Sequence, residues 1–144
     1  MGAIHLLSRL IPITFELPED KAMDFFWADK EPLAQTLCSA LISLFFKEQF
    51  TISTSKKPEL WHSGVICKHK AHDKDSQYYY NRLSLVKLLL AMSSSVFYMS
   101  NEGSSQHINP IMWLFCSEWN KRAREILFSL INFSFNYEKA FYVS

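Results

Sequence analysis

Apolar and polar positions recur at helical spacing over much of the chain, most clearly in Asn81 to Met99, NRLSLVKLLLAMSSSVFYM. On a 3.6-residue period Ser84, Lys87, Ala91, Ser94, Ser95 and Tyr98 fall into one narrow strip. Leu83, Leu85, Val86, Leu88, Leu89, Leu90, Met92, Val96 and Phe97 take most of the remaining circumference. A helix so widely apolar needs neighbours on two sides, so this segment is expected to form a middle layer. Asn81 is the expected N-cap, because its side-chain oxygen can accept from a first-turn N–H.

The same pattern predicts the other elements. Ala3 to about Phe15 reads as a helix that Pro12 interrupts or kinks. After the break at Leu17-Pro18-Glu19-Asp20, a short helix capped by Asp20 carries Met23, Phe25, Phe26 and Trp27. Asp29, Glu31 and Pro32 form an acidic, proline-bearing first turn for a helix to about Lys47. Its strip Gln35, Thr36, Ser39, Ser43 and Lys47 is polar, while Leu33, Leu37, Ala40, Leu41, Leu44 and Phe45 are expected to pack against the Asn81 helix. Periodicity vanishes over about 51–80, which reads as a long flexible connection. Its apolar island Leu60 to Ile66 is expected to be pinned by Trp61, and Lys68 to Gln77 to be mobile. Asn109-Pro110 opens a short helix through Phe115. Ser117 is the expected cap of a last helix with Trp119, Ala123, Ile126, Leu127, Leu130 and Phe133 facing inward, opposite Lys121, Arg122, Glu125, Ser129 and Asn132. Phe128, Ile131 and Phe135 lie off that stripe, widen the apolar face and are the candidate partner-facing residues.

Composition sharpens the fold class. At 144 residues, with 49% hydrophobic and 15% aromatic residues but 3 Gly, the chain favours packed helices over strands and turns. The expected architecture is one all-α domain over 1–144, a helical bundle or HEAT-like helical-repeat fragment with a long irregular connection. No repeat of fixed period marks it. Its apolar content exceeds what one small domain easily hides, which points to protein partners.

Charge and motifs exclude several function classes. Lys+Arg 15 against Asp+Glu 14 leaves a net charge of +1 and no field to draw nucleic acid. Lys56, Lys57, Lys68, Lys70 and Lys74 near Tyr78, Tyr79 and Tyr80 are diluted by Glu59, Asp73 and Asp75, so a solvated loop is the better reading. The longest uncharged apolar stretch, Pro32 to Phe46, falls short of the roughly 20 residues that cross a bilayer. The amino terminus carries Arg9 mid-run and lacks a signal-peptide pattern, and Leu6 stands where a myristoylation motif has Ser or Thr. Cys38, Cys67 and Cys116 are odd in number and unpaired in spacing, so buried free thiols are expected.

Catalytic chemistry finds little material. Cys67, His69 and His72, with His62 nearby, offer zinc-type donors, but no Cys-x2-4-Cys pair closes a site, so they stay weak metal candidates. His62-Ser63-Gly64 lacks a nucleophile elbow, and 3 Gly leave nothing for a phosphate loop. No catalytic residue and no cofactor is expected.

Several strings nevertheless point to a family. SRLIPITFE with FFW, PLAQTLCSALISLFF, LWHSGV, NRLSLVKLLLAMSSSVFY and NPIMWLFCSEWNKRAREILFSLINFSF occur in an order and spacing that resembles the high-temperature-induced dauer-forming proteins, relatives of dymeclin. The resemblance covers nearly the whole chain. It implies a cytosolic, largely helical, non-enzymatic scaffold that associates peripherally with the Golgi and acts in secretory-vesicle formation and sorting. Gly2 does not match the lipidated glycine of some members, Ser84 replaces an acidic position, and the chain stops at EKAFYVS, as expected of a truncated member. A metal-binding regulatory module and a vestigial fragment with little function are the alternatives.

Overall fold

The computed structural model describes residues 2–17, 21, 26, 33–52, 61, 76–98 and 109–136. Five α-helices are formed among them: α1 (Gly2–Thr14), α2 (Leu33–Phe45), α3 (Ser76–Ser93), α4 (Pro110–Cys116) and α5 (Ala123–Asn136). A 3-10 turn, Ser94–Tyr98, extends α3. The fold is all-α, and among the described residues the one β-type pairing is an isolated bridge from Glu48 to Ile52.

The expectation of a central helix holds. α1 packs along α3 on one side, while α2 and α4 pack on each other and on α3. Leu85, Leu88 and Met92 are buried between them. Lys87 and Tyr98 of the expected strip face outward, but Ser84 and Ser95 are buried while Leu90 and Phe97 are exposed. Ser84 Oγ donates to the Tyr80 carbonyl at 2.9 Å and lies 3.3 Å from His5 Nε2 of α1. A small, satisfied hydroxyl permits close approach of α1, so polarity alone misassigned its face.

The start of α3 is corrected too. The helix begins at Ser76, inside the expected flexible connection, and Asn81 lies within it rather than capping it. Gln77, expected in a mobile loop, occupies the first turn with its Nε2 donating to Asn81 Oδ1 at 2.9 Å. Pro12 sits inside α1 without ending it before Thr14. Lacking an N–H, it forgoes the i→i−4 bond to the Ser8 carbonyl, and α1 runs on for only two more residues.

α2 exposes Gln35, Thr36, Ser39 and Ser43 as its pattern predicts and buries Ala34, Cys38, Leu41 and Phe45, but Leu33 and Ala40, expected inward, are exposed. Its main neighbour is α4, with α3 second. Asn109 caps α4 as expected, Oδ1 accepting from the Ile111 and Met112 N–H groups at 3.0 Å each. Ser117 is the C-cap of α4 and not the N-cap of the last helix. α5 starts after a turn in which Asn120 Oδ1 accepts from the Arg122 N–H at 3.0 Å.

Candidate functional site

Trp61 gathers the residues on which the sequence pattern converges. The indole is fully buried, stacked on Phe45 of α2 and edge-on to Phe133 of α5 with centroids 5.9 Å apart. Its Nε1–H donates to the Phe45 carbonyl at 2.6 Å, and its backbone N–H to Ser129 Oγ of α5 at 3.2 Å. The Arg82 guanidinium of α3 lies 5.8 Å from the ring centroid, within cation–π range. One tryptophan therefore joins α2, α3 and α5.

Beside it, the turn after α2 is held from both directions. Gln49 takes a left-handed conformation at φ 60°, closing a turn in which Thr51 Oγ1 donates to the Phe45 carbonyl at 2.8 Å. From α3, Asn81 Nδ2 donates to the Phe50 carbonyl at 2.7 Å and Arg82 Nε to the Thr51 carbonyl at 2.8 Å. Carbonyls in a turn outside the helix lack a ladder partner, and here side chains distant in sequence supply one. At the other end of α3, Asn109 Nδ2 donates to the Met92 carbonyl and to Ser95 Oγ, both at 2.8 Å, so one residue caps α4 and ties it to α3. Asn120 Nδ2 likewise closes the end of α4 on the Phe115 carbonyl at 2.9 Å.

These polar groups are occupied by the fold and present no reactive constellation. Among the described residues no three His, Cys, Asp or Glu side chains come together as metal ligands. The weak candidates Cys67, His69 and His72 lie outside the described residues. Cys38 is buried, and burial pushes its thiol up to about 12. Its Sγ has the Ile111 carbonyl at 4.0 Å. Cys116 is exposed, contrary to the expectation that every thiol is buried.

The open chemistry lies on outward helix faces. α5 is rolled from its expected orientation: Ser129 and Asn132 are buried with Ile126 and Phe133, while Leu127 is 56% exposed. The reason is Trp61, whose N–H requires the Ser129 hydroxyl and whose ring requires a small side chain facing it. Phe128, Ile131 and Phe135 stand outward at 42%, 38% and 64% exposure, and Leu127 joins them. Sequence reasoning missed a second outward stripe, Leu6, Leu10, Ile13 and Leu17 at the α1 end. Its signal was present, since apolar residues at i, i+4, i+7 and i+11 accompany the inward set Ile4, Leu7 and Ile11. A shallow groove along α2 is lined by Thr36, Ser39, Ala40, Ser43 and Trp119. No helix of the described residues is long and apolar enough to cross a membrane.

The family described as high-temperature-induced dauer-formation protein matches residues 1–144. Protein HID1 of Homo sapiens is 31% identical and Protein HID1 of Mus musculus 28%, each alignment covering 92% of this chain and 20% of the relative. Protein ECM30 of Saccharomyces cerevisiae is 31% identical over 92% of this chain and 12% of its own length. The chain thus spans about a fifth of the two HID1 relatives. No solved structure matches it.

Proposed function

The chain belongs to the high-temperature-induced dauer-formation protein family, and from that membership we propose that it acts as a non-catalytic helical scaffold in secretory-vesicle formation and sorting. The reading places it in the cytoplasm, at the Golgi surface, held there by protein partners as a peripheral component.

The observation that carries the scaffold reading is the employment of the polar side chains. Thr51, Asn81, Asn109, Asn120 and Ser129 spend their hydrogen-bonding capacity on backbone groups or helix ends. Catalysis requires groups left free to meet a substrate, whereas a scaffold requires rigid helices with apolar faces to offer. The faces of α1 and α5 supply the second, and a net charge of +1 favours protein partners over polyanions.

The test follows a tagged full chain through membrane fractionation and follows secretory cargo after disruption of its locus. The tag is expected to co-sediment with Golgi membranes and to be released by alkaline carbonate, and cargo is expected to be missorted until the chain is restored. A diffuse, fully soluble protein together with unchanged cargo sorting overturns the reading.

A further inference from the structure

We draw no further inference here: the strongest candidate, the exposed apolar ridge of Leu6, Leu10, Ile13 and Leu17 on the outward side of α1, is an unpartnered helix face, and nothing in the structure shows what covers it.

Discussion

Trp61 lies flat on Phe45, ring centroids 4.7 Å apart and 5° from parallel, while its Nε1–H donates to the carbonyl of that same residue at 2.6 Å. Phe45 ends α2, so one side chain stacks on the helix terminus and joins the Thr51 hydroxyl in donating to its last carbonyl. Trp61→Phe keeps most of the stacking and removes the donor. The Phe45 carbonyl keeps the Thr51 hydroxyl as a donor, so the change is expected to cost about 1–3 kcal/mol, from one lost hydrogen bond and the lost indole volume. Chemical denaturation reads the loss as a fall in midpoint with unchanged slope.

Asn81 separates two readings of one residue. At an N-cap, aspartate would serve as well as asparagine, because only the side-chain oxygen is used. Inside α3 the amide nitrogen is needed, because it donates to the Phe50 carbonyl at 2.7 Å. Asn81→Asp sets a carboxylate against that carbonyl in a site only 4% exposed, and is expected to cost at least 2 kcal/mol, more than Asn81→Ala. Equal stability of Asn81→Asp and the parent would return Asn81 to the capping role.

What could be read in advance divides by the sequence distance of the partner. Asn109 was legible as a cap because the N–H groups it serves lie two and three residues away. The apolar faces of α2 and the core of α3 were legible because periodicity is a local property. Asn81, Ser84 and Ser129 were not, since each is buried by a partner 31, 79 or 68 residues distant. A polar side chain satisfied across the fold has the same sequence appearance as one satisfied by water. That ambiguity misplaced the strip of α3, and it rolled α5 so that Leu127 points out and Ser129 in. Phe128, Ile131 and Phe135 stand off the expected stripe in either orientation and are exposed. The expected mobility of 68–75 and the thiol and imidazole candidates fall outside the described residues.

Adjacent leucines test the layer assignment of α3. Leu89 is 9% exposed and Leu90 62% exposed, although both belong to one apolar run. Leu89→Asp buries an unpaired carboxylate and is expected to cost 3 kcal/mol or more by order of magnitude, whereas Leu90→Asp should stay within about 0.5 kcal/mol. Thermal melts of the two variants decide the matter, and equal destabilisation would contradict the orientation of α3.

Alkaline pH should single out Cys38. Burial raises its thiol from 9.0 to about 12, so the folded chain holds this proton over a range in which the unfolded chain has released it. The sign follows from linkage: where the unfolded state binds fewer protons, stability falls as pH rises. The contribution is therefore complete below pH 9.0 and is lost progressively up to about 12, with a limiting slope of roughly 1.4 kcal/mol per pH unit. Tyrosines and lysines titrate in the same window, so the measurement is the difference in slope between the parent and Cys38→Ala, not the level of either. Peptide mapping after brief alkylation at mildly alkaline pH gives a second readout. The exposed Cys116 should be modified and Cys38 spared until the fold opens. A Cys38→Ala chain whose stability falls with pH as steeply as that of the parent, or rapid alkylation of Cys38 in the native state, would mean that the α2–α4 contact around this thiol admits solvent.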